Sequence, residues 1–149
     1  MLYNQYDRFS HIRSIQVKLT NRCEYALLAL AYLGRCSSDE YATVEKISAS
    51  QGIPPKFLEQ ILLSLKRAQY LQSAKGQGGG YRLAKPASEI SIAEIIRFMN
   101  GALAPTDSVS QYFYNRTPIE REKILVTLFR EIRDMIAEKL ESTMLSDIL

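Results

Sequence analysis

The chain has 149 residues, 46% apolar and 23% charged, with a formal net charge of +3, the values of an ordinary globular domain with room for one core plus an appended element. Its longest uncharged apolar stretch, residues 25–34, is far short of the roughly 20 residues that a membrane span needs, and the N-terminus lacks a basic-then-apolar leader pattern, so a cytoplasmic protein is expected. Two cysteines, Cys23 and Cys36, make no disulfide framework and match no common zinc spacing.

Taken in chain order, residues 1–16 space Tyr3, Tyr6, Phe9, Ile12 and Ile15 about three apart, which suits a short amphipathic helix or an ordered arm. The only histidine, His11, reads there as a surface or packing residue. Thr20 is placed to cap a first helix whose stripe is Ala26, Leu27, Leu30, Ala31 and Leu33, with Gly34 as its stop. On one helix Cys23 and Cys36 would stand about 19 Å apart. Both are expected as small buried or half-buried side chains, with Cys23 a candidate for oxidation because a helix start favours thiolate.

Thr43 caps a second helix, VEKISASQ, ended by Gly52. Pro54 and Pro55 then open a third, KFLEQILLSLKRAQY, with Phe57, Leu58, Ile61, Leu62 and Leu65 on its apolar face. Helices joined so closely at glycine and proline form the pattern of a helix-turn-helix core. Two short strands follow, YLQSA and GYRLA, with Leu71 and Leu83 facing inward and Gln72, Arg82 and Lys85 facing outward. Ser91 and Glu94 make a capping box for a fourth helix over 91–100, and residues 101–117 are a loop. From Pro118 to about Leu145 a long helix carries Ile124, Leu125, Leu128, Ile132, Met135, Ile136 and Leu140 at three-to-four spacing, a stripe that needs a partner.

The turn between the strands, KGQGGGYRL at 75–83, puts four of the seven glycines, Gly76, Gly78, Gly79 and Gly80, into five positions. Its lysine precedes the glycines, so the phosphate-loop spacing fails, and Tyr81 stands where a dinucleotide fingerprint needs its last glycine. What remains is a hairpin tip in which Gly78, Gly79 and Gly80 take positive φ and Lys75 and Gln77 project. Charge supports a polyanion partner: residues 56–85 hold Lys56, Lys66, Arg67, Lys75, Arg82 and Lys85 against Glu59, a local +5 that leaves the rest of the chain at about −2. A basic glycine hairpin directly after a helix-turn-helix is a winged helix, in which the third helix enters the DNA major groove and the wing reaches the backbone or the minor groove. Lys56, Glu59 and Gln60 share the polar face at the N-terminal end of that helix. Glutamine suits adenine, glutamate accepts from cytosine, and lysine serves guanine or phosphate. The competing reading is a winged-helix module that acts through protein contacts without DNA. No nucleophile with a base and no paired carboxylates point to an enzyme.

Four segments, KLTNRCEYALLAL at 18–30, GIPPKFLEQILLSLKRAQYL at 52–71, KGQGGGYRLAKP at 75–86 and ISIAEII at 90–96, resemble the Rrf-two family of bacterial transcriptional regulators. The resemblance implies a mainly α winged helix-turn-helix over 17–100 with a small β-hairpin, and a dimerisation helix over 118–149 after the 101–117 loop. It also implies a homodimer that crosses its long helices through Ile124, Leu128, Ile132, Met135 and Ile136 and binds palindromic operators, often as a repressor. By position, Lys56, Phe57, Glu59 and Gln60 match the recognition-helix region and Lys75 the basic residue of the wing, with Gln77 and Arg82 beside it. Many members hold an iron–sulphur cluster through three cysteines after the fourth helix, but residues 101–116 contain none. Glu24 matches an acidic ligand of some cluster-binding relatives and cannot hold a cluster alone, so no cofactor is expected. The family usually begins where Val17 stands, which makes Val17 an alternative start and residues 1–16 an extension.

Overall fold

A computed structural model describes residues 18–149; the arm over 1–16, with His11, and Val17 lie outside the described residues. Helices α1 (Asn21–Arg35), α2 (Val44–Gln51) and α3 (Pro55–Arg67) are followed by strands β1 (Leu71–Ala74) and β2 (Gly80–Leu83), then α4 (Ile92–Asn100) and α5 (Lys123–Ser142). Local chemistry sets several boundaries. Thr20 and Thr43 accept from the N–H groups of Cys23 and Lys46, and Gly52 closes α2 at φ +66°, in the left-handed region open to glycine. Both halves of the Ser91–Glu94 capping box are formed at α4.

One core joins these elements. Cys23, Ala26 and Leu30 of α1 meet Ile47 of α2, Leu58, Ile61, Leu62 and Leu65 of α3, Leu71 of β1 and Ile95 of α4. The antiparallel hairpin pairs Leu71 with Leu83 and Gln72 with Arg82. A rung that the sequence does not announce extends it: Ala42 and Tyr81 exchange backbone hydrogen bonds of 2.8 Å in each direction, tying the α1–α2 link to the wing.

The structure corrects five local expectations. Gly34 lies inside α1, which ends at Arg35 with Cys36 as its cap; the Leu149 side chain packs over it, 2.9 Å from where a Cβ would stand. Phe57 is 61% exposed, outside the apolar face assigned to it. In the hairpin turn the positive φ values belong to Gly76, Gly78 and Gly80. Gly79 lies outside that region and is required for space, since a Cβ there would meet the Ala74 carbonyl oxygen at 2.4 Å. The loop after α4 contains a 3-10 turn at Asp107–Val109. Pro118–Arg121 is likewise a 3-10 turn, and α5 stops at Ser142. Beyond it Leu145 is fully buried, held by the bonds from Ile92 N–H to the Thr143 oxygen (2.9 Å) and from Leu145 N–H to the Ile90 oxygen (2.7 Å).

Candidate nucleic-acid interface

Burial of Leu58, Ile61, Leu62 and Leu65 fixes the rotation of α3 and therefore what it presents to solvent. Lys56, Phe57, Glu59 and Gln60 are all exposed at its N-terminal end. The outward row continues through Leu63 to Arg67, so Lys56, Gln60, Leu63 and Arg67 lie along one line at helical spacing. Leu63 and Arg67 escaped the sequence reading because one looks like core and the other like a helix-end cation. The exposed row is about 17 Å long at 1.5 Å per residue, enough to lie along a groove.

Past α3, Gln69 takes φ +67° and turns the chain into β1. Lys75 and Gln77 are exposed at the tip of the hairpin. Gly80 lets the base of the wing close: its φ is +132°, and a Cβ would stand 2.2 Å from the Ala42 carbonyl oxygen. Lys56, Arg67 and Lys75 have no carboxylate partner among the described residues. The cations of this surface are therefore not neutralised from within.

Arg82 stands on the outward face of the hairpin, opposite Leu71 and Leu83, but is engaged there by neighbouring groups. Its Nε and Nη2 donate to Gln72 Oε1 at 3.3 and 3.2 Å, Nη1 reaches the Ser38 oxygen at 3.5 Å, and the guanidinium lies 4.5 Å over the Tyr41 ring. These contacts make Arg82 a strut between the wing and the α1–α2 link. Lys85 is similarly engaged, with Nζ 4.8 Å over the Tyr70 ring.

The cysteines do not fit an iron–sulphur cluster. Cys23 is fully buried, and Cys36 caps the other end of the same helix. Burial, then the Glu24 charge, raises the thiol pKa of Cys23, so the thiolate favoured by a helix start is opposed. Burial, then Glu40, likewise raises Cys36. The loop after α4 supplies hydroxyls instead: Thr117 donates to Ser108 at 2.9 Å, and Thr106 lies 3.4 Å from Thr117. Among the described residues no three histidine, cysteine or acidic side chains converge as metal ligands. Nor is any helix there long and apolar enough to cross a membrane.

Comparison with known proteins agrees with this fold. The HTH-type transcriptional regulator Rv1287 of Mycobacterium tuberculosis (strain H37Rv) is 34% identical over 133 residues, 89% of this chain and 81% of its own. The HTH-type transcriptional regulator CymR of Bacillus subtilis is 26% identical over 132 residues, 89% of each chain. A solved structure of CymR, described as the global cysteine regulator of B. subtilis, superposes with a TM-score of 0.71 over 89% of this chain and 96% of that one. T. potens IscR shares the fold at a TM-score of 0.69 and 23% identity, over 89% and 85% of the two chains. The profile of Rrf2, described as an iron-dependent transcriptional regulator, matches residues 19–149. With that match running through the winged helix and α5 together, the chain belongs to the Rrf2 (Rrf-two) family of transcriptional regulators.

Proposed function

We propose that the protein is a sequence-specific repressor that binds palindromic operators as a homodimer, with α3 in the major groove and the wing on the backbone. The observation that carries this reading is the α3 surface: one face is wholly buried while the opposite face leaves Lys56, Glu59, Gln60 and Arg67 exposed. Gln60 and Glu59 read base edges, Lys56 and Arg67 reach guanine or phosphate, and Lys75 and Gln77 contact the backbone from the wing tip. Arg82 has no DNA contact in this arrangement; it holds the wing in place.

The test is selection of binding sites from random duplex DNA, followed by anisotropy titrations across salt. Specific binding weakens steeply with salt. Gln60→Ala costs about 1–3 kcal/mol at particular base pairs, whereas Lys75→Ala lowers affinity evenly across sequences. Absence of any sequence preference at every salt concentration would instead favour a winged-helix module that acts through protein contacts.

We also propose that the signal is something other than an iron–sulphur cluster, despite the description of the family as iron-dependent. The donor set supports this, since two distant thiols with raised pKa values replace the cysteine ligands that a cluster needs. Protein purified without oxygen is expected to be colourless and substoichiometric in iron; a brown protein with bound iron and sulphide would overturn the proposal.

A further inference from the structure

We infer that Arg22, in the first turn of α1, is a DNA-backbone contact that adds a second helix to the interface; the inference rests on the DNA-binding reading above. Its Nη2 donates to Ser64 Oγ at 2.8 Å, and Ser64 Oγ donates in turn to the Gln60 carbonyl oxygen at 2.9 Å. The guanidinium therefore lies against α3 one turn beyond Gln60, although 42 residues separate Arg22 from Ser64. By helical geometry Ser64 stands about 80° around α3 from Lys56, at the edge of the exposed face.

That edge is where phosphates come. A helix about 10–12 Å across nearly fills a major groove about 12 Å wide, so the flanks of a recognition helix approach the sugar-phosphate strands while its centre meets the bases. Arg22 is exposed and has no carboxylate partner among the described residues. The bond to Ser64 uses one N–H of five, which fixes the planar fork and leaves donors for a bidentate grip on phosphate oxygens. A purely structural staple between α1 and α3 is superfluous there, because Cys23, Ala26 and Leu30 already pack against Leu58, Ile61, Leu62 and Leu65.

The experiment compares the full-length wild type, Arg22→Gln and Arg22→Lys on a selected operator and on scrambled duplex across a salt series. Each neutralised phosphate contributes about 0.9 to the slope of log affinity against log salt. Arg22→Gln is expected to reduce the slope by about 0.9 per protomer, equally on both duplexes, and Arg22→Lys to retain it. A second measurement removes single phosphate charges with methylphosphonates: one position should weaken the wild type and leave Arg22→Gln unchanged. An unaltered slope, or a loss confined to particular base pairs, overturns the assignment while DNA binding stands. Failure of the wild type to prefer any sequence overturns the DNA-binding reading itself, and Arg22 with it.

Discussion

Tyr70 joins the end of α3, the wing and α4 in a single side chain. Its hydroxyl donates to Glu94 Oε2 at 3.1 Å, while Glu94 Oε1 accepts the Ser91 N–H at 2.7 Å, and its ring packs at 6.1 Å from Phe98. Burial first, then the Glu94 charge and hydrogen bond, push its pKa from 10 up to about 12. The folded state thus holds the phenol proton more tightly than the unfolded chain does. The linked stability is fully present below pH 10 and is lost as pH rises through about 12. Urea midpoints of the wild type should accordingly fall faster over this range than those of Tyr70→Phe, which has no phenol proton to release. Parallel pH profiles for the two would show that Tyr70 titrates alike in both states. No sequence rule joins Tyr70 to Glu94 across 24 residues; the pairing follows from the packing of α3 and α4 on the same helix, α1. Phe57 shows the converse limit, because a residue at the edge of an apolar stripe is buried or exposed by its neighbours' geometry, which periodicity does not contain.

At the scale of elements, signals carried within a few residues were legible. The cap at Thr43, the stop at Gly52, the box of Ser91 and Glu94 and the glycine hairpin each act over one turn, and each stands where its chemistry requires. Features made by distant partners were not: Gly34 is helical beneath Leu149, and α5 ends where Leu145 enters the core. The exposed polar face of α3 was legible from its buried stripe, whereas Arg22 was not, since nothing local places α1 beside Ser64. The wing shows how such partners change the assignment of a residue. A basic residue on a strand reads as an outward contact, yet Gln72 across the hairpin and Tyr41 from the α1–α2 link claim Arg82. Arg82→Ala is therefore expected to destabilise the fold by about 1–2 kcal/mol, from lost hydrogen bonds and cation–π contact. Its salt slope on DNA should match that of the wild type. Urea denaturation gives the first quantity and salt-series anisotropy the second; a slope reduced as for a lost phosphate contact would return Arg82 to the DNA surface.

For the whole molecule the largest unsatisfied demand is α5. Its 20 residues include none that is buried within the described protomer, and Ile124 and Met135 are 85% and 70% exposed. The helix is held at its far end by Leu145 and along its length by contacts such as Arg133 Nη1 to the Val109 oxygen at 2.7 Å. The apolar stripe from Ile124 to Leu140, about 24 Å long, is costly to leave in water, and in the proposed homodimer a second copy supplies the same stripe to cover it. A helix draws most of its stability from packing its amphipathic face, so the exposed part of α5 should depend on the proposed dimer, whereas the core around Leu30, Leu58 and Leu62 takes from α5 only Leu140, at its edge. Leu128→Glu with Met135→Glu places carboxylates on that stripe. The double variant is expected to sediment as a monomer, lose part of the helical circular dichroism of α5, and keep a cooperative thermal transition from the winged helix. Operator affinity should fall well over tenfold, because each protomer then meets its half-site alone, while the small affinity for scrambled duplex persists. A dimer that survives both carboxylates would move the interface off this stripe, and a monomer with undiminished operator binding would remove the need for two half-sites.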